Sequence, residues 1–307
     1  MTTLTKEAIH YINYTKTMKP YYQCTPQEAR EMKAVPSWTA STPLAAIDNR
    51  VITMRDGAQI NIRLYIPTFA KELPVIIYYH GGGWVFGTIE STDAGCQLLA
   101  QQAQAIVVSV DYRLAPEHPF PTPLHDAYDS LLWVYEHIQQ FGGNRHQLTV
   151  AGDSAGGNLA TVVAYLATSN NGPAIQAQIL IYPVTNLDFT TTSYQKYGEH
   201  YGLDTLGMQW FAAHYTEEKN YLHPLVSPLQ IDQLQAMPKT LLIAAQADVL
   251  YDEGLAYAEK LATAGVTVQH LTMPGLIHSY FSKTAFFEQD TRETVQKMAS
   301  FLQMNSL

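Results

Sequence analysis

The stretch that most constrains this chain is Gly152-Asp153-Ser154-Ala155-Gly156-Gly157. A short apolar run, Leu148-Thr149-Val150-Ala151, leads into it, and a helix-like run over residues 158–166 leads out. A serine between glycines at such a junction implies a very sharp turn, whose neighbours two residues away on either side must be small. The turn lifts the serine oxygen off the sheet edge, at the N-terminal end of a helix whose dipole favours developing negative charge. G-x-S-x-G alone is weak, since it recurs by chance in about one chain in ten of this size. Its bland alternative is a glycine turn that merely joins a strand to a helix.

The neighbouring segments predict the sheet around that turn. Residues 50–55 and 59–66 read as strands flanking Asp56-Gly57, a hairpin signal. Residues 74–79 and 105–110 are continuous apolar runs, as expected of central strands buried on both faces. Further strands are expected over 177–182, 240–245 and 266–271, and helices over about 92–104, 123–140, 252–264 and 287–302. Two antiparallel strands followed by strands alternating with helices predict an α/β fold with a mostly parallel, doubly wound sheet.

Two segments stand outside that alternation. Residues 1–45 carry Tyr11, Tyr14, Tyr21, Tyr22 and Trp38 without strand alternation; Ala8, Tyr11 and Ile12 suggest a helix, and Pro36 and Pro43 break the remainder. Residues 186–223 lie between two strands and hold Phe189, Tyr194, Tyr197, Tyr201, Trp210, Phe211 and Tyr215, with a helix expected over about 206–215. A connection of that length is usually a functional insertion. The expected organisation is an N-terminal arm (1–45), a core (46–185 and 224–307) and a cap insertion (186–223) that roofs the strand ends with the arm.

At 307 residues, 47% hydrophobic and 15% charged, the chain suits one α/β unit with insertions. Its net charge of −9 supplies no basic footprint for nucleic acid or an anionic membrane surface. Cys24 and Cys96 make neither a disulfide framework nor zinc-site spacing. The N-terminus lacks the apolar region of a signal peptide, and no membrane-length apolar run follows. A cytoplasmic location is the resulting expectation.

The chemistry-bearing residues recur in a telling order. His80-Gly81-Gly82-Gly83-Trp84 follows a strand directly, and its glycines allow backbone N–H groups to face a site without side-chain obstruction. Such donors, with the N–H of Ala155, could hold the oxyanion of a tetrahedral intermediate. His80 is expected to brace the loop. A nucleophilic serine needs a base, and the base needs an acid to fix its tautomer, in the order serine, acid, histidine for this topology. Asp248 stands just past the strand signal that follows the insertion and His278 just past the last one, with Asp252, Glu253 and His270 as rivals.

With these residues in place the chain resembles the hormone-sensitive-lipase-like group of α/β-hydrolase carboxylesterases. The resemblance runs from about residue 45 to the C-terminus. It rests on His80 to Trp84, Asp111-Tyr112-Arg113-Leu114-Ala115-Pro116-Glu117, the Ser154 turn, Asp248-Val249-Leu250-Tyr251-Asp252-Glu253-Gly254 and Gly275-Leu276-Ile277-His278. It implies an eight-stranded, mostly parallel sheet with helices on both faces and a helical cap. It further implies Ser154 as nucleophile, Asp248 as acid, His278 as base, and Gly81, Gly82 and Ala155 as oxyanion donors. Arg113 and Glu117 would be structural support, and Trp84, Trp210, Phe211 and Tyr280 would contact substrate. Val249 replaces the family's usual proline, and Ser279-Tyr280 its common glycine-phenylalanine.

The expected activity is a serine carboxylesterase acting on short-chain acyl or small aryl esters, with no metal or organic cofactor. Its partner would be a small ester, with neither nucleic acid nor membrane, and its state a monomer or homodimer. An amidase, peptidase or lipase on the same parts is the first competitor. A noncatalytic binder of this fold is the second, although such a binder would usually lack a triad member.

Overall fold

The computed structural model describes residues 2–32 and 43–303, so Pro36 and Trp38 lie outside the described residues. The strands are β1 (Ala46–Thr53), β2 (Gln59–Ile66), β3 (Leu73–Tyr79), β4 (Ile106–Val110), β5 (Gly143–Asp153), β6 (Ile175–Ile181), β7 (Lys239–Ala247) and β8 (Val268–Ile277). Among the described residues they form one eight-stranded sheet, ordered β1-β2-β4-β3-β5-β6-β7-β8. β1 and β2 make the hairpin around Asp56-Gly57, and β2 runs antiparallel to β4. Every pairing beyond that is parallel. β4 is buried at each residue and β3 at all but Pro74, which is why both read as unbroken apolar runs.

The helices are α1 (Lys6–Thr15), α2 (Pro26–Met32), α3 (Asp93–Ala103), α4 (Thr122–His137), α5 (Ala155–Ser169), α6 (Thr192–Tyr197), α7 (Thr205–Tyr215), α8 (Tyr251–Thr263) and α9 (Glu288–Gln303). α3 packs on α9, and α4 packs on α5. A 2.7 Å hydrogen bond between the Thr161 and Tyr257 hydroxyls joins α5 to α8. Right-handed crossovers put these two groups on opposite faces, because the chain steps one way from β3 to β4 and the other way from β5 to β6. Among the described residues no helix is long and apolar enough to cross a membrane.

β3 lies between β4 and β5, so the direction of winding reverses there and a crevice opens beyond the strand C-termini. Tyr79 pairs with Gly152 across that boundary. The His80–Trp84 loop and the Ser154 turn therefore leave the sheet side by side.

The last strand extends beyond its expected span, through Pro274 to Ile277. β8 is an edge strand, where proline is tolerated. Its register against β7 shifts between the pairs at Ala245 and Ala247, and the Gln246 side chain accepts the Gly275 N–H there at 2.9 Å. The Gly275 carbonyl in turn accepts the Thr5 N–H at 3.1 Å, while the Thr5 hydroxyl caps α1 through the Ala8 N–H. The start of the chain is thus tied to the end of β8. Tyr21 packs against Phe211 of α7 with ring centroids 5.1 Å apart, so the N-terminal segment also meets the 186–223 insertion.

Candidate active site

Ser154 occupies the turn between β5 and α5 at φ 56°, ψ −119°. That is a strained backbone for a residue with a side chain, costing about 1–3 kcal/mol. The turn is held by the Ser154 N–H donating to the Ile181 carbonyl at 2.9 Å and by the Val184 N–H donating to the Ser154 carbonyl at 3.2 Å. A Cβ on Gly156 would collide with the Tyr79 carbonyl oxygen, and one on Gly152 with the Gly156 carbonyl. Both glycines are therefore demanded by backbone crossing at close range.

Asp248 follows β7 and His278 follows β8, and the parallel pairing of those strands brings them together. Ser154 Oγ lies 2.9 Å from His278 Nε2, and His278 Nδ1 lies 2.7 Å from Asp248 Oδ2. All three side chains are buried. With the Nδ1 proton directed at the carboxylate, Nε2 is left as the acceptor facing the serine hydroxyl. The other Asp248 oxygen accepts the Leu250 N–H at 3.0 Å, fixing the carboxylate.

The rivals lie elsewhere. Asp252 accepts the Ser193 N–H, and Glu253 accepts the Thr185 and Asn186 N–H groups at 2.7 and 3.0 Å. Burial pushes the Glu253 carboxyl well above the ordinary carboxylate range, despite those two donors. His270 sits mid-strand in β8.

The glycine loop requires a correction. The Gly81 N–H donates to Asp153 Oδ1 at 2.9 Å and so is not available to an oxyanion. The same oxygen accepts the Tyr78 hydroxyl at 2.9 Å. Gly82 and Gly83 have φ of 122° and 61°, backbone that favours glycine. Among the described residues their N–H groups, and that of Ala155, meet no acceptor. Gly83 is therefore the donor candidate that the sequence reading missed, its signal being the third glycine of the run. His80 stacks on Tyr112 at 4.3 Å and 15°, with Nδ1 2.9 Å from the Gly81 carbonyl; burial lowers its pKa and favours the neutral ring.

The surrounding supports are ionic. Arg113 pairs with buried Asp126 at 2.7 Å and with Asp56 at 2.8 Å. Glu117 pairs with Arg30 of α2 at 2.8 Å, and the Arg30 guanidinium holds the Glu117 carboxyl down at about 2. Arg30 also donates to the carbonyls of Val85 and Ala115, at 2.8 and 2.7 Å, so it clasps the N-terminal segment to the glycine loop.

A cavity of about 100 Å³ opens over Ser154 and His278. One part is apolar, with Phe86, Leu203, Met208 and Phe211; another carries Ser91, Thr92, Ser282 and Lys283. Of the four expected substrate contacts, Phe211 lines this cavity and three do not. Trp84, turned by φ 60°, is fully buried and stacks on Tyr215 at 4.1 Å and 4°. Tyr280 is fully buried, its hydroxyl 2.8 Å from Thr294 Oγ1 of α9. Trp210 packs behind the lining against Phe86 and Tyr21. A larger groove of about 940 Å³ lies between the N-terminal segment and α6–α7, sharing Tyr11, Tyr21 and Gly202 with the cavity.

A family model described as alpha/beta hydrolase fold matches residues 76–282. The chain is 37% identical over 257 residues to Carboxylesterase NlhH of Mycobacterium tuberculosis, covering 82% of this chain and 79% of that protein. It is 37% identical over 279 residues to an ethyl acetate hydrolase of Pseudomonas putida, covering 88% and 87%. The crystal structure of a thermostable esterase from Pseudomonas putida superposes with a TM-score of 0.92 at 32% identity, over 99% of this chain and 98% of that one.

Proposed function

This chain belongs to the hormone-sensitive-lipase-like family of α/β-hydrolases and is a carboxylic ester hydrolase, and we propose that Ser154 carries the reaction through a covalent acyl-enzyme on short-chain acyl or small aryl esters. The observation that carries the proposal is the pair of contacts through one imidazole, 2.9 Å from Ser154 Oγ to His278 Nε2 and 2.7 Å from His278 Nδ1 to Asp248 Oδ2.

In this reading Ser154 Oγ attacks the ester carbonyl as its proton passes to His278 Nε2. Asp248 holds the imidazole in the required tautomer and stabilises the imidazolium. The carbonyl electron pair moves onto oxygen, where the Gly82, Gly83 and Ala155 N–H groups offer donors at the N-terminus of α5. Collapse of the intermediate breaks the bond to the alcohol, which leaves with the proton from His278. Water then gives its proton to His278, attacks the acyl carbon and frees Ser154 by the reverse path.

The modest cavity supports small substrates, since about 100 Å³ is little beside the roughly 300–1,000 Å³ of drug-sized sites. The relative named for ethyl acetate hydrolysis points the same way. Residues 1–45 and 186–223 act as the cap over a core of 46–185 and 224–307 in this proposal, because both segments contribute to the cavity lining.

Ser154→Ala should lower turnover of p-nitrophenyl butyrate by about 10⁴-fold or more while the melting temperature is kept. A fluorophosphonate should label the native chain once, at Ser154. Unchanged turnover in Ser154→Ala would sink the assignment.

A further inference from the structure

Among the described residues Lys283 is the one lysine that lines the cavity over Ser154, and no catalytic step described above uses it. It lies five residues after His278, at the end of the 3₁₀ turn Tyr280–Ser282, and its side chain is partly buried. Its backbone N–H bonds to the Ser279 and Tyr280 carbonyls, at 3.2 and 3.3 Å, which fixes where the side chain starts. Among the described residues its ammonium has neither an ion-pair partner nor a hydrogen bond. Burial pushes its pKa down, as expected for a cation drawn from water without a counter-charge.

The charged and titratable groups sharing the cavity are few. Asp153 is the one carboxylate among the described residues that line it, and it acts on Lys283 through space. Its Oδ1 is already occupied by the Gly81 and Tyr78 donors, and burial raises its pKa. His278 is engaged by Ser154 and Asp248. The remaining neighbours on this side are hydroxyls: Ser282 beside Lys283, and Ser91 and Thr92 on the 3₁₀ turn packed against Tyr280–Ser282. Another part of the lining is aromatic and aliphatic, with the Phe86 and Phe211 rings 5.2 Å apart. The cavity is therefore bipolar, with a cation and hydroxyls at one part and Phe86, Met208 and Phe211 at another.

We infer that Lys283 is a specificity-determining residue whose ammonium receives a carboxylate borne on one arm of the ester, so that the enzyme prefers anionic esters to neutral ones of the same length. An ammonium held partly out of water and unpaired gains from a charge-assisted hydrogen bond that a neutral arm cannot supply. The hydroxyls of Ser91 and Thr92, which accept the Thr88 N–H and the Cys96 thiol and keep their own protons, suit the remaining acceptor positions of such a carboxylate. This inference rests on the ester-hydrolase reading of Ser154.

The test compares two matched pairs by pH-stat: monoethyl glutarate with ethyl valerate for the acyl arm, and 4-acetoxybutanoate with butyl acetate for the alcohol arm. In one pair the anionic ester should show a kcat/KM about tenfold or more above its neutral partner. Lys283→Met should lower that ratio about tenfold, whereas Lys283→Arg should keep most of it. A ratio near one in both pairs overturns the inference. So does a ratio that Lys283→Met leaves unmoved because both esters slow equally, the outcome expected if Lys283 only balances Asp153.

A binding measurement separates this result from the fate of the esterase reading. Calorimetry of the same anionic esters on Ser154→Ala should show affinity that falls about tenfold when Lys283→Met is added. If none of the four esters is turned over, the esterase reading fails and the calorimetric comparison alone decides the role of Lys283. Equal affinity with and without the lysine overturns it.

Discussion

The Gly81 amide and the Asp153 carboxylate meet at 2.9 Å, and this contact links the loop after β3 to the residue preceding Ser154. Asp153 thereby sets where the next two N–H groups of the loop point. Asp153→Ala should lower kcat by about ten- to a hundredfold with little change in KM, since it lets the proposed oxyanion donors drift. Asp153→Asn keeps an acceptor for Gly81 and Tyr78 and should cost far less. Steady-state kinetics on a p-nitrophenyl ester would decide; equal losses in the two variants would show that charge, not loop position, is what matters.

Gly156 should tolerate no side chain. A Cβ there meets the carbonyl oxygens of both Tyr79 and His80, which are backbone atoms of a central strand and its following loop. Gly156→Ala is expected to destabilise the fold by about 3 kcal/mol or more. Urea unfolding of the purified variant measures this, and a shift below about 1 kcal/mol would contradict the close crossing.

Trp84 is a packing residue in this structure, and its substitution should read out as stability. Its ring lies nearly parallel to that of Tyr215, both fully buried. Trp84→Ala should cost about 3–5 kcal/mol, and Trp84→Phe a smaller part of it. Thermal melts and KM measured on Trp84→Phe test the assignment. A tenfold rise in KM for a small ester with no change in melting temperature would return Trp84 to the substrate.

Glu253 should make stability fall as pH rises. Burial raises its carboxyl pKa in the folded chain far above the ordinary value of 4.5, so the folded state holds a proton that the unfolded state releases. Its contribution is fully present below pH 4.5 and is lost at about 1.4 kcal/mol per pH unit until the folded-state pKa is passed. Glu253→Gln keeps a carbonyl acceptor for the Thr185 and Asn186 amides without that titration. Urea midpoints from pH 4.5 upward should show the variant gaining on the native chain as pH rises toward the folded-state pKa. Parallel curves would mean the carboxyl is charged throughout.

Ser154, Asp248 and His278 were legible because each follows directly on a strand signal, and strand ends in a parallel sheet gather at one edge. The choice among the three glycines was not legible. It depends on the Asp153 side chain, which lies 72 residues further along the chain and reaches the loop only through the pairing of β3 with β5. Trp84 and Tyr280 misled because adjacency to a motif does not give direction: a positive φ turns one inward, and the turn after Ser279 points the other at Thr294. Lys283 and Arg30 gave no signal. A lysine after a turn and an arginine in a short helix read as surface charge, until the fold shows what lies opposite them.

The order of the strands divides the proposed machinery into two unequal halves. The serine and its anion cradle sit on β5 and β3, deep in the sheet, whereas the base lies 124 residues away at the end of β8, which among the described residues pairs on one side only. Between the halves stand β6 and β7, and β8 is clasped from outside by the first residues of the chain through Thr5 and Gly275. Fraying of that outer strand would leave a structured serine with nothing to take its proton. Turnover in this protein is thus a report on the state of its sheet edge, and loss of the N-terminal segment should extinguish it while most of the core remains folded.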